Sequence, residues 1–238
     1  MNKSIIFFII LCVTAACTQT SRPIKTADSI IEAYKKSAGD SGKMDSIKSL
    51  HFEIEFPGHD YLVIVDVQRP DKIRTSGGDK YILVFDGKRA AYLKGAPSES
   101  GQETGSRLLP KNEWKDFEVD RAWYLPAFLD YPATLAGMDT VNSIPVYQLK
   151  TTLPLGAKMT YYLDTRNYRI RKISAEVEMD GKTYFPHREY SNYRTVNGFA
   201  VADSFTYSYT EETGPTAVVK AVSINNDYLA DFFKIPLN

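Results

Sequence analysis

From Leu50 onward the chain alternates apolar and polar residues with the period of two that half-buried strands require. Turn residues interrupt it at the intervals of an antiparallel meander: Pro57-Gly58-His59-Asp60, Ser76-Gly77-Gly78-Asp79, Asp86-Gly87, Asp164 to Asn167, Asp180-Gly181, Asn197-Gly198 and Glu212 to Pro215. Asp-Gly and Asn-Gly accept positive φ at both central positions of a tight hairpin turn. Tyr61 to Arg69 is an apolar run that puts Val63, Val65, Val67 and Arg69 on one face. Ile82 to Phe85 is a buried-type run entering Asp86-Gly87. Farther on, Arg171, Ile173, Ala175, Val177 and Met179 alternate with Lys172, Ser174, Glu176 and Glu178. Phe205, Tyr207 and Tyr209 oppose Thr206, Ser208 and Thr210. One-sided strands of this kind predict an antiparallel sheet with one wet and one dry face.

Helical periodicity is confined to two places. Thr26 reads as an N-cap, with Ala27, Ile30, Ile31, Tyr34 and Ala38 on one face, Lys35 and Lys36 in the last turn, and Gly39 as terminator. A second short helical piece is expected over Lys43 to Ser49. Trp114 to Leu135 is rich in large apolar side chains, among them Trp123, Leu125, Phe128 and Leu129. Pro126 and Pro132 interrupt it, which predicts only short helical pieces. So much apolar surface must be buried, either as a lid across a curved sheet or as a surface loop with a small core of its own. Ala96 to Gln102, rich in Ser, Gly and Pro, reads as a loop.

The N-terminus indicates export. Lys3 supplies a positive charge, Ile5 to Val13 is apolar but too short to span a bilayer, and Thr14-Ala15-Ala16 are small. Cys17 follows directly, as in a lipobox, although Thr14 stands where leucine is usual. The expectation is a signal peptide over 1–16, lipidation of Cys17, a tether over 17–25 and a single domain over 26–238. An ordinary signal peptide that contains a cysteine is the alternative. Cys12 would be removed with the leader, so the mature chain could form no internal disulfide. Thr18 is not the aspartate that retains lipoproteins in the inner membrane in enterobacterial-type sorting, so an outer-membrane, periplasm-facing lipoprotein is expected.

Charge adds little. The 29 basic and 29 acidic residues cancel, and no basic stripe with interleaved aromatics marks a nucleic-acid surface. Sixteen tyrosines and twelve phenylalanines favour a pleated, half-buried surface.

Several of these pieces, in this order, resemble the LolA/LolB-like lipoprotein-sorting family. They are an amphipathic helix before the first strand, Gln68-Arg69-Pro70 closing one strand, and Ile82-Leu83-Val84-Phe85-Asp86-Gly87-Lys88 as the next. Ile144 to Leu149, Tyr161 to Asp164, Ile170 to Ile173 and Tyr193 to Phe199 are similar to the family's second-half strands, and Phe232 to Pro236 to its end. The resemblance implies an incomplete antiparallel β-barrel of about eleven strands, with an N-terminal helix and short lid helices packed into its concave face. It also implies a cavity for acyl chains of lipoproteins or lipids, lined here by Val63, Val65, Val67, Arg69, Trp123, Leu125, Phe128 and Leu129. In the family's carriers the arginine before that proline bonds the lid and controls its opening, and Arg69 occupies the matching position. An arginine at a strand end that reaches back to water is the other reading. The lipid anchor fits a receptor better than a diffusing carrier, yet Ser76-Gly77-Gly78-Asp79 lacks the apolar tip of such receptors.

No motif for catalysis stands out. His51, His59 and His187 show no metal-ligand spacing, and there is no Gly-x-Ser-x-Gly, Ser-x-x-Lys or phosphate loop. Glu53/Glu55 and Glu176/Glu178 read as solvated strand faces. A monomer without metal or cofactor, and not an enzyme, is expected. An RseB-like sensor acting through an envelope protein partner is the second reading. A hydrolase would require a cleft joining His187, Arg188 and Glu189 to a distant acid.

Overall fold

The computed structural model of the chain describes residues 25–39, 41–94, 106–179, 182–209 and 214–236. The expected signal peptide, Cys17, all but the end of the tether, the 96–102 loop and the Asp180-Gly181 turn lie outside the described residues.

Helix α1 (Ala27–Ala38) starts at a capping box. The Ser29 amide donates to Thr26 Oγ1 at 3.2 Å and the Thr26 amide to Ser29 Oγ at 2.9 Å, which satisfies two end-of-helix groups reciprocally. Its buried residues Ile30, Tyr34 and Ala38 recur every four positions. Helix α2 (Ser41–Ser46) ends earlier than the sequence suggested, because Ser49 already pairs with Gln68 as a strand residue.

The rest is one antiparallel sheet. Its first half comprises β1 (Ser49–Glu55), β2 (Leu62–Gln68), β3 (Lys72–Gly77), β4 (Tyr81–Phe85), β5 (Ala90–Lys94) and the two-residue β6 (Arg107–Leu108). The second half comprises β7 (Ala133–Val141), β8 (Ile144–Thr152), β9 (Lys158–Asp164), β10 (Ile170–Met179), β11 (Lys182–Tyr184), β12 (His187–Val196), β13 (Phe199–Ser208) and β14 (Thr216–Ile224). The spatial order is β6-β5-β4-β3-β2-β1-β14-β13-β12-β10-β9-β8-β7, with β11 beside β10. The sheet is thus an open wall whose seam is the pairing of β1 with β14, Leu50 opposite Ile224. Among the described residues fourteen strands stand where about eleven were expected. Strands β6 and β11, of two and three residues, are too short to leave a periodic signature.

Alternation places the core on the concave side. Val63, Val65 and Val67 of β2 and Ile173, Ala175 and Val177 of β10 join one cluster with the buried face of α1. Arg171 leaves the series that its position in the sequence assigns it. A bulge between Ile170 and Lys172 turns it onto Asp164, whose Oδ2 accepts from its Nη2 at 2.8 Å. Tyr209 also departs: β13 ends at Ser208, and Tyr209 is exposed. Asn197-Gly198 makes the expected turn, with φ of 50° and 87°. Asp86-Gly87 does not. Only Gly87 has positive φ, and the Asp86 carboxylate accepts from the Lys88 and Arg89 amides at 2.8 Å each, which shapes a longer Asx-type turn.

The outer face is not uniformly wet. Residues 228–235 cross the outside of β4 and β5, where Phe233 and Ile235 bury Val84 and Ala91 in a second small core. Arg74 Nη1 donates to the Phe232 carbonyl at 3.1 Å, and Tyr228 Oη donates to Asp66 at 2.7 Å. His51 Nδ1 lies 2.7 Å from the same carboxylate. The wall around β4 and β5 is therefore covered on its outer side as well.

Candidate functional site

The segment following β6 forms the lid. Helix α3 (Trp114–Tyr124) is a continuous helix of 11 residues, longer than the broken pieces expected. Pro126 falls beyond its last turn, so it terminates the helix instead of interrupting it. A 3-10 turn at Ala127–Leu129 follows, and Pro132 then leads into β7. The Trp114–Leu135 segment packs into the concave face and shares its core, so it has no separate core of its own.

Hydrogen bonds fix this lid to the wall at several points. Tyr161 Oη accepts from the Ala127 amide at 2.8 Å, and Tyr190 Oη donates to the Trp123 carbonyl at 2.8 Å. Burial pushes both phenols well above their ordinary range, so they stay neutral hydrogen-bonding groups. Glu118 of α3 accepts from the Leu155 amide, in the β8–β9 turn, at 2.8 Å. Phe128 packs edge-on against Tyr34 of α1 at 5.1 Å and Tyr161 of β9 at 4.8 Å, the T-shaped geometry that aromatic quadrupoles favour.

Arg69 stands at the centre of the strongest attachment. Its Nε donates to Asp130 Oδ1 at 2.6 Å, Nη2 to the Leu129 carbonyl at 3.0 Å, and Nη1 to the Ile47 carbonyl at 3.1 Å. One guanidinium thus joins the strand end, the α2–β1 connection and the lid. Arg121 of α3, buried, donates to the other oxygen of Asp130 at 2.5 Å. Asp130 answers two cations at once, which offsets the desolvation of both. Arg69 does not reach back to water: its side chain is 19% exposed and its donors are engaged within the protein.

Toward the other end of the lid the arrangement differs. Arg188 of β12 has its guanidinium carbon 5.2, 4.7 and 4.6 Å from the ring centroids of Trp123, Tyr124 and Phe205. Each such contact is worth about 0.5–2 kcal/mol, depending on desolvation. Among the described residues no carboxylate forms an ion pair with Arg188, and its buried Nη1 has no hydrogen-bond partner. Leaving such a donor unmet costs about 1–3 kcal/mol or more.

Between these two ends lies an apolar cavity of about 100 Å³, walled by Tyr34, Phe52, Trp123, Leu125, Tyr190 and Phe205 among others. Of the residues expected to bind a ligand, Trp123 and Leu125 border it. Val63, Val65, Val67 and Phe128 are buried in the surrounding core without reaching the cavity, and Leu129 is half-buried beside Arg69. Sequence reasoning missed Arg121, Asp130, Tyr161, Tyr190 and Arg188. Two signals were available: Arg121 and Asp130 are opposite charges inside an aromatic segment that must be buried, and Arg188 shares a strand face with Tyr190. His187 and Glu189 border a hollow on the outer face instead, so the three residues do not converge. Among the described residues no group of three His, Cys, Asp or Glu is placed to hold a metal ion.

No protein-family model matches the sequence, and no curated protein matches it. Solved structures do. A LolA superfamily protein from Nitrosomonas europaea superposes with a TM-score of 0.54 at 15% identity, covering 89% of this chain and 99% of that one. A putative outer membrane lipoprotein-sorting protein domain from Vibrio parahaemolyticus gives 0.53 at 10% identity, covering 82% and 94%. A DUF1329 family protein from Desulfovibrio piger gives 0.51 at 10% identity, covering 86% and 97%. With the open antiparallel wall, the N-terminal helix and the lid packed into the hollow, these likenesses establish that the chain has a LolA-like fold.

Proposed function

We propose that the protein binds acyl chains of lipids or lipoproteins in the concave face of its sheet, beneath the lid. The observation that carries this reading is the apolar cavity beneath a lid that polar contacts, centred on Arg69 and Asp130, fasten to the wall. An apolar-lined space of this kind favours apolar matter over water. Burial of a chain there yields about 25 cal/mol per Å². At about 100 Å³ the space is smaller than the roughly 300–1,000 Å³ of most ligand pockets, so a whole chain requires the lid to move. Release of Asp130 from Arg69 is the step that frees it.

The placement of such a protein follows from its N-terminus: a leader over 1–16, lipidation at Cys17, and an anchored position on the periplasmic side of the outer membrane. A role in lipoprotein or lipid sorting or transfer fits that placement and the fold. Two acyl chains on one cysteine suffice for stable anchoring, at about 0.8 kcal/mol per buried methylene. The smallness of the closed cavity favours a second reading, an RseB-like sensor whose output is a protein partner.

Native mass spectrometry of a Cys17→Ser form made without residues 1–16 separates the two. Co-purifying lipid, exchangeable for added palmitate, is the expected result. An empty protein that takes up no palmitate and recovers one stoichiometric envelope partner would favour the sensor.

A further inference from the structure

We infer that Arg188 is the headgroup site of the cavity: the ligand is an anionic amphiphile whose carboxylate or phosphate binds this guanidinium while its chain lies under the lid. The inference rests on the acyl-chain reading above and names the chemistry of the polar end.

Three observations meet at this residue. Trp123, Tyr124 and Phe205, the rings that surround the Arg188 guanidinium at 4.6–5.2 Å, are also cavity-wall residues. Arg188 itself does not border the cavity, so the end of a chain reaches the cation where Trp123 and Tyr124 move with the lid. The guanidinium carries a positive charge; among the described residues no carboxylate is ion-paired with it, and Asp120 acts on it through space. The Tyr124 hydroxyl is its polar neighbour, while Nη1 is buried and unpartnered.

Aromatic faces stabilise a cation without using up its N–H groups. Cation–π contacts approach the guanidinium through ring faces, whereas hydrogen bonds run along the N–H directions in its plane. With the Tyr124 hydroxyl bonded to another part of the group, Nη1 stays available for an oxyanion, to which it can give a charge-assisted hydrogen bond. Arg69 and Arg121 differ in that each is ion-paired with Asp130, although the buried Nε of Arg121 also lacks a partner. Alternation along β12 is what aims Arg188 inward, between the outward-facing His187 and Glu189.

Dodecanoate, its uncharged methyl ester and dodecyl phosphate share one chain and differ only in the head. Their dissociation constants for the Cys17→Ser protein lacking residues 1–16, measured by native mass spectrometry and by Trp fluorescence, test the assignment. At least one of the two anions should bind tenfold or more tightly than the ester, and which one identifies the headgroup chemistry. In Arg188→Gln that ratio should fall toward one, and Arg188→Lys should restore part of it. The melting temperature of each variant shows that it is folded. Equal affinity of wild type for anions and ester, or a ratio that survives in a folded Arg188→Gln, overturns the headgroup site and leaves the acyl-chain cavity standing. No binding of any of the three overturns both.

Discussion

The two ends of the lid are held by opposite means. At the Asp130 end, two arginines converge on one carboxylate and Arg69 adds backbone carbonyls from three places in the chain: Asp45, Ile47 and Leu129. At the Trp123–Tyr124 end, beside the single Tyr190 hydrogen bond, one arginine is surrounded by three rings and has no ion-paired carboxylate among the described residues. Directional, charge-assisted bonds must all be broken together, so the first end behaves as a latch with a defined open and closed state. Cation–π and apolar contacts yield gradually, so the second end can rearrange around a guest once the latch opens. A lid built this way has a latched side and a receptive side, and the cavity lies between them.

Breaking the latch should produce the largest effect. Asp130→Ala leaves Arg121 and Arg69 without their shared partner and should cost about 3–5 kcal/mol in urea unfolding. A cost below about 1 kcal/mol would mean that Asp130 is not what holds this end. Arg69→Leu should cost less, about 2 kcal/mol, since Arg121 keeps its partner. Its clearer signature is faster amide exchange over 127–130 and faster lipid exchange. Unchanged rates at both would remove Arg69 from any gating role.

At the receptive end the comparison predicts near-neutrality. Arg188→Gln should unfold within about 1 kcal/mol of wild type, because the lost cation–π attraction is offset by relief of a dehydrated, partly unmet cation. A loss resembling that of Asp130→Ala would erase the distinction between the ends. The smallest effect concerns Glu118, which ties α3 to the β8–β9 turn. Burial, its main influence, holds this carboxyl above its ordinary value, while the Leu155 amide and Arg121 pull it down. The fold thus favours the protonated form. Its contribution is complete at pH below the unfolded glutamate value and declines as pH rises through the raised folded value. The stability of wild type relative to Glu118→Gln should therefore fall with increasing pH above the ordinary glutamate range. A difference that grows with pH would reverse the assignment.

Strand alternation, the Asn197-Gly198 turn and the capped first helix are legible in the sequence, because each rests on contacts within a few residues, whereas the longer Asp86-Gly87 turn is not. Val63, Val65 and Val67 face inward as the period of two demands, and Thr26 caps where its side chain can reach Ser29. Arg171 was misjudged because a bulge depends on the neighbouring strand, and α3 was underestimated because proline acts only on the turn before it. The outer cover formed by Phe233 and Ile235 had no local trace at all.

The sequence by itself determined an antiparallel wall with one apolar face and an aromatic segment that had to be buried against it. Period and composition are properties of short windows, and short windows suffice for them. Only the tertiary structure decided that Arg69 meets Asp130, 61 residues away, and that Arg188 comes to rest among three rings instead of beside a carboxylate. Those pairings are set by how a sheet curls and where a lid comes down, and no residue carries that information in its near neighbours.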